Sequence, residues 1–187
     1  MPTSRSGELS HRVAREADKP AIVALMGAAI AENMKAFLSP EEIEAARECM
    51  GVDQTLIDDG TYFVIEAQHQ SELVMVGCGG WGKRRTLYGG NETAGRDDNL
   101  SDPAHEAARI RAMYTHPEWV RCGIGSRLLS LGEDAARAAG FRTIELGSTV
   151  PGEPFYLAKG YVEVKRIEGV GANGAPNTII HMRKALV

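Results

Sequence analysis

Between Arg109 and Ala139 the chain reads as a strand, a sharp glycine turn and a helix, and no other run constrains the fold as much. The turn is Arg121-Cys122-Gly123-Ile124-Gly125, after which Ile124, Leu128, Leu131 and Ala135 recur at helical spacing. Glycines there let the main chain aim its N–H groups at one point. The helix adds its unpaired first-turn donors and the positive end of its dipole. Such a point suits a phosphate or diphosphate, with Arg121 and Arg127 able to add charge-assisted contacts.

A Gly-x-Gly turn is equally compatible with a helix that merely packs closely on a strand. The sharper competitor is the dinucleotide fingerprint Gly-x-Gly-x-x-Gly, with an acid about twenty residues on. Glu145 does stand twenty residues after Gly125, but the third glycine position is Leu128. The chain also offers one strand–helix–strand unit of the right kind, where a dinucleotide site uses two such halves. We therefore set the dinucleotide reading aside.

About thirty residues beyond the turn comes Phe155-Tyr156-Leu157-Ala158-Lys159-Gly160-Tyr161. The two motifs together resemble the GNAT acyltransferase superfamily, which moves an acyl group from a coenzyme A thioester to an acceptor, usually an amine. Its diphosphate loop, Arg/Gln-x-x-Gly-x-Gly/Ala, is matched by Val120-Arg121-Cys122-Gly123-Ile124-Gly125, and its later Phe-Tyr-x-x-x-Gly-Phe/Tyr by residues 155–161. The resemblance runs from about Arg109 to Val164. Val120 departs from it, standing where the family often has Arg or Gln, and Arg121 is expected to compensate.

The resemblance implies an α/β (α+β) fold: a single GNAT-like domain over residues 1–187, with a mixed, mostly antiparallel sheet of six or seven strands and helices on both faces. It implies acetyl-CoA as cofactor, held by Met113, Tyr114, Thr115, Arg121, Cys122, Gly123, Ile124, Gly125, Ser126, Arg127 and Tyr156. Met113 and Thr115 would pair with the pantetheine arm through their main chain. An N–H at or near Met113 would stabilise the oxyanion, and Tyr156 would protonate the departing thiolate. A phenol, with a reference pKa of about 10 against about 8.5 for a thiol, can do so at modest cost.

Composition narrows the alternatives. A length of 187 residues suits one domain. A formal charge of −4 and a pI near 5.8 argue against a nucleic-acid binder. Cys49, Cys78 and Cys122 are odd in number and widely spaced, which indicates neither a disulfide framework nor a metal site, with the cytosol as default. The longest apolar run, Ala21–Ala31, is too short to span a bilayer and predicts a buried helix.

Along the chain, residues 1–8 read as a loose polar tail and Leu9–Glu16 as a strand. Asp18 would cap a helix to about Lys35, and Ser39 with Glu42 would form a capping box on a second, ending near Met50. A helical turn follows at Thr55–Asp59. Thr61–Ala67 and Leu73–Gly82 read as a hairpin turning at His69–Glu72. The glycines at 77, 79, 80 and 82 bare the second strand, either for a ligand, with Trp81 facing an acceptor pocket, or for a bulge with Trp81 in the core. Tyr88–Pro103 reads as a mobile loop beside the acceptor side. Strands at Phe141–Ser148, Tyr161–Glu168 and Thr178–Lys184 and a short helix at Pro154–Lys159 complete the set.

The acceptor is expected to be a small-molecule or peptide amine, with Glu32, Trp81 and Tyr88 as candidate pocket residues. His116, Glu145 and Glu32 are possible bases, but deprotonation relayed by water needs none of them. A non-catalytic acyl-CoA-binding module of the same fold is the alternative, and an unrelated phosphate or nucleotide binder a further one. An exposed sheet edge near the C-terminus would permit a homodimer.

Overall fold

The structure is a computed structural model that describes residues 8–187, so the expected tail lies outside it apart from Glu8. Strand β1 (Leu9–Val13) stops before Glu16, because Glu16–Asp18 form a 3-10 turn leading into helix α1 (Lys19–Asn33). Asp18 holds the N-cap position of α1, but its carboxylate closes the preceding turn instead, accepting from the Arg15 N–H at 2.7 Å. Helix α2 (Pro40–Arg47) begins in the expected capping box. Ser39 Oγ accepts from the Glu42 N–H at 3.2 Å, and Glu42 Oε2 accepts from the Ser39 N–H at 2.8 Å. Helix α3 (Gln54–Asp58) is capped by Asp53 through the Thr55 N–H at 3.0 Å.

Strands β2 (Tyr62–His69) and β3 (Glu72–Gly82) form the expected hairpin. Gln70 and Ser71 both take positive φ at its tip, matching the right-handed twist of the strands. Strand β4 (Ala108–Thr115), helix α4 (Ile124–Ala138) and strand β5 (Thr143–Ser148) follow, then helix α5 (Glu153–Ala158) and strands β6 (Val162–Val170) and β7 (Pro176–Ala185). The seven-stranded sheet runs β1-β2-β3-β4-β5-β7-β6, antiparallel throughout except between β4 and β5. This is the mixed, mostly antiparallel single sheet that the resemblance implies.

Strand alternation divides the helices between the faces. Val64 packs with Ile22, Leu25 and Met26 of α1, whereas its neighbour Ile65 packs with Ile124 and Leu128 of α4. The bare strand β3 serves the second contact. A Cβ at Gly77 would lie 2.3 Å from Ile124 Cγ2, so glycine is what lets the first turn of α4 settle on the sheet.

Two irregularities open the centre of the sheet. Strands β4 and β5 pair only at Ala108–Ile144 and Arg109–Glu145, and beyond these residues they part. The β3–β4 register also shifts between Cys78 and Gly80, opposite Ala112, whose φ is +52°. That is a β-bulge, which bends β4 at the point where the wedge begins.

The segment read as a mobile loop is fastened to this centre. Arg111 of β4, only 4% exposed, donates to the carbonyls of Thr86 (3.2 Å) and Gly89 (2.5 Å) and to Asp53 Oδ2 (2.8 Å). Arg96 reaches the same carboxylate at 3.1 Å and the Gly90 carbonyl at 2.9 Å.

Candidate active site

The glycine turn is built as its sequence demands. Arg121 (φ +65°) and Gly123 (φ +79°) both lie in the left-handed region, reversing the chain before Ile124 starts the helix. A non-glycine residue there is held at a cost of order 1–3 kcal/mol, a strain characteristic of ligand-binding turns. The N–H groups of Ile124, Gly125 and Ser126 have no carbonyl one turn back within α4. Ile124, Gly125 and Ser126, together with Arg121 and Gly123, line a groove of about 600 Å³.

The second motif is locked to the first. A Cβ on Gly125 would lie 3.4 Å from Phe155 Cζ, in ordinary contact, so the Phe155 ring rests against the first turn of α4 at this glycine. Phe155 and Tyr156 meet edge to face, with centroids 5.1 Å apart, and Tyr156 meets Tyr161 at 5.7 Å. Tyr161 is anchored in turn, its hydroxyl donating to Glu133 at 2.9 Å, while Lys184 binds the same carboxylate at 2.9 Å. Tyr156 thus stands on a fixed stack.

The groove runs into the wedge between β4 and β5. The His116 N–H donates to the Val76 carbonyl at 2.9 Å, so by alternation the main-chain groups of Thr115 point away from β3, into the wedge. On the other side of the wedge is a cleft of about 270 Å³. Groove and cleft share Asn33, Met113, Tyr114, Thr115, Pro151, Gly152 and Tyr156, so the two meet at this point. Burial raises the phenol pKa values of Tyr156 and Tyr114, so both hydroxyls stay protonated well past neutral pH.

Several expected residues sit elsewhere. Trp81 does not face the cleft. It is 7% exposed and lies on the α4 face, against Gly132 and edge to face with Phe141 at 6.1 Å, whereas the cleft opens on the α1 face. Glu32 turns outward from α1 and pairs with Lys35, since helical periodicity brings Ala29, Ile30 and Asn33 to the cleft instead. Arg127 faces away from the groove and ties α4 to β1, donating to the Leu9 carbonyl at 2.8 Å and meeting His11 Nδ1 at 3.0 Å. Cys122 packs against the cluster that contains Ile65, Val76, Trp119 and Ile124, and it is not among the residues lining the groove. Tyr88 does line the cleft.

Neither of the remaining candidate bases faces the meeting point. Glu145 is buried between Arg109 (3.0 Å), Arg183 (2.7 Å) and His181 (2.9 Å). Burial opposes its ionisation, yet those partners hold its pKa below the usual carboxylate value. His116 Nδ1 accepts from the Glu118 N–H at 3.2 Å and caps a 3-10 turn. Asn33, which the sequence reading passed over, donates its side-chain N–H to the Thr115 carbonyl at 2.8 Å. An Asn in the last turn of a helix carries no signal of that role. Among the described residues, no group of His, Cys, Asp and Glu is arranged to hold a metal ion, and no helix is long and apolar enough to cross a membrane.

Known proteins bear on this geometry. Residues 58–163, more than half of the chain, match the family model described as an acetyltransferase (GNAT) domain. No curated protein sequence matches the chain. Among solved structures, a GCN5-related N-acetyltransferase from Rhodopseudomonas palustris superposes with a TM-score of 0.64, at 20% identity over 98% of each chain. The PaiA N-acetyltransferase from Thermoplasma acidophilum, in complex with coenzyme A, gives 0.61 at 16% identity, over 95% of this chain and 99% of that one. The Salmonella typhimurium protein yncA, with its cofactor acetyl-CoA, gives 0.58 at 18% identity, over 96% and 94%. Those likenesses establish the fold, and the family match goes further: this chain belongs to the GNAT acetyltransferase family.

Proposed function

We propose that the protein is an N-acetyltransferase that moves acetyl from acetyl-CoA to a primary amine by direct attack. The observation that carries this reading is the meeting of groove and cleft at Met113–Thr115 and Tyr156. Two structures of the same fold hold coenzyme A or acetyl-CoA, which supports the choice of cofactor. The N–H groups at the start of α4 would bind the diphosphate, with Arg121 adding charge. The pantetheine arm would lie along the outward main-chain groups of Met113 and Thr115. The bulge at Ala112 would turn an N–H near Met113 toward the thioester oxygen, stabilising the charge that develops there. Tyr156 would donate its proton to the leaving sulfur.

With no disulfide among Cys49, Cys78 and Cys122, a reducing compartment such as the cytosol suits the chain. The exposed edge strand β6 offers main-chain groups through which a homodimer would form. The test of function is thiol release from acetyl-CoA against a panel of amines, with acetyl-CoA binding measured by calorimetry. Amine-dependent release is expected. Binding without turnover would favour a non-catalytic acyl-CoA-binding module, a reading that the exposed Val120 in the groove also suits.

A further inference from the structure

The acceptor side of the cleft has an unusual charge inventory for a site that must bind an amine. Among the described residues around it there is no Asp, Glu, Lys or His, and the sequence of residues 1–7 contains no acid. Arg111 is the one charged residue among the described residues that line it, and that guanidinium is already committed to Thr86, Gly89 and Asp53. Asp53 itself is 1% exposed and closed off between Arg111 and Arg96. Nearby acids turn elsewhere: Glu32 of α1 pairs with Lys35, and Glu48, just after α2, accepts from the Ala172 N–H at 2.7 Å. What remains is apolar, from Ile30, Met34, Phe37, Met50, Leu87 and Ile179, with neutral polar groups from Asn33, Ser148 and Asn177.

Resting on the acetyltransferase reading above, we infer that the acceptor is a small monoamine with an uncharged, apolar body, and that it binds as the neutral free base. Among the described residues, a second ammonium would enter a cleft that offers it no counter-ion, and a carboxylate would meet no uncommitted cation. Burying either charge unpaired is strongly unfavourable. The same rule acts on the reacting nitrogen. Taking an ammonium out of water without an anion beside it favours loss of its proton. The cleft therefore selects the form that already carries the nucleophilic lone pair, and no side-chain base is required. The titratable groups facing this point are Cys49 beyond α2, Tyr88 of the loop, Arg111 and Tyr114 of β4, and Tyr156 of α5.

The step balances without a further reactant. The amine lone pair forms the C–N bond at the thioester carbonyl and the C–S bond breaks. The sulfur takes the Tyr156 proton, and the proton left on nitrogen passes to water, from which the phenol recovers its own.

The test is kcat/KM against pH for ring-substituted benzylamines of graded basicity, a diamine, phenylalanine and its amide, and a short peptide with a free N-terminus. Binding of acetyl-CoA is measured alongside by calorimetry. Below each amine's own pKa the rate constant should rise about tenfold per pH unit, and the inflection should move with the amine. It should stay with the amine in Cys49→Ser. The diamine and phenylalanine should each fall at least about tenfold below the benzylamines and the amide. Phe37→Glu, at an exposed rim position, should raise the diamine relative to the monoamine. An inflection fixed at one pH for every amine, or preference for the diamine, the free carboxylate or the peptide, would each overturn the inference, whereas firm acetyl-CoA binding with no amine acetylated would favour the non-catalytic module instead. Failure to bind acetyl-CoA would instead bring down the acetyltransferase reading beneath it.

Discussion

Tyr156 is suited to its proposed task by position rather than by acidity. Burial makes its phenol a weaker acid than a free one, which taken alone would hinder proton donation. The same dry wedge also disfavours the coenzyme thiolate, so what counts is the difference between the two groups, and desolvation acts on both. A Tyr156→Phe variant should therefore lose about 100-fold or more in kcat while acetyl-CoA affinity stays within a few-fold, measured by steady-state kinetics and calorimetry. An unchanged kcat would dismiss Tyr156 as the acid. Residue type alone misleads at this scale. Trp81, Glu32 and Arg127 all have the right chemistry for the site, yet they face the core, the solvent and β1.

Two contacts between elements hold the site in shape. The first is Gly77 under Ile124. With Gly77→Ala, a methyl would have to occupy space 2.3 Å from Ile124 Cγ2, in a cluster where Ile124 is 1% exposed. Overpacking of this kind costs about 1–3 kcal/mol, and here it would push the first turn of α4 off the sheet. The variant should melt lower and bind acetyl-CoA more weakly, by thermal unfolding and calorimetry. The second is the Asp53–Arg111–Arg96 cluster, which holds the main chain on either side of Leu87 and Tyr88. Asp53→Ala would leave two largely buried guanidinium groups without their shared carboxylate, at a cost of about 3–5 kcal/mol. Besides a lower melting temperature, its KM for the amine should rise more than its Kd for acetyl-CoA, because the cluster supports the cleft and not the groove. The milder Arg96→Met keeps that split measurable if Asp53→Ala does not fold.

For the molecule as a whole, stability should form a plateau in pH with two defined edges. Burial raises the phenol pKa values of Tyr62, Tyr114, Tyr156 and Tyr161. Above about pH 10 the unfolded chain releases these protons while the native state keeps them. The unfolded state then binds fewer protons, so stability falls as pH rises. At the acid edge, hydrogen bonds from Arg12 and Arg84 hold Asp18 and Asp59 below the ordinary carboxylate pKa. The unfolded chain takes up these protons first, so stability is lost as pH drops below about 4. Urea unfolding at pH 3, 7 and 10.5 should give its highest midpoint at pH 7. A midpoint that still rises at pH 10.5 would contradict the burial of the tyrosines.

Much of this architecture was readable from neighbours along the chain. The capping box at Ser39 and Glu42, the β2–β3 hairpin and the strand–turn–helix at the diphosphate loop are each set by a few adjacent residues. The spacing of Gly125 and Phe155 matched a known family because the two rest directly on one another. By itself the sequence determined the elements, their order and the family they compose. The tertiary structure alone decided which face of the sheet each side chain meets, that β4 and β5 part beyond Arg109, and that Asn33 and Arg111 reach Thr115 and the Thr86–Gly89 wall. The reason is physical. Local periodicity gives an element two faces without saying which is buried against what, and that choice comes from pairings between residues far apart in the chain.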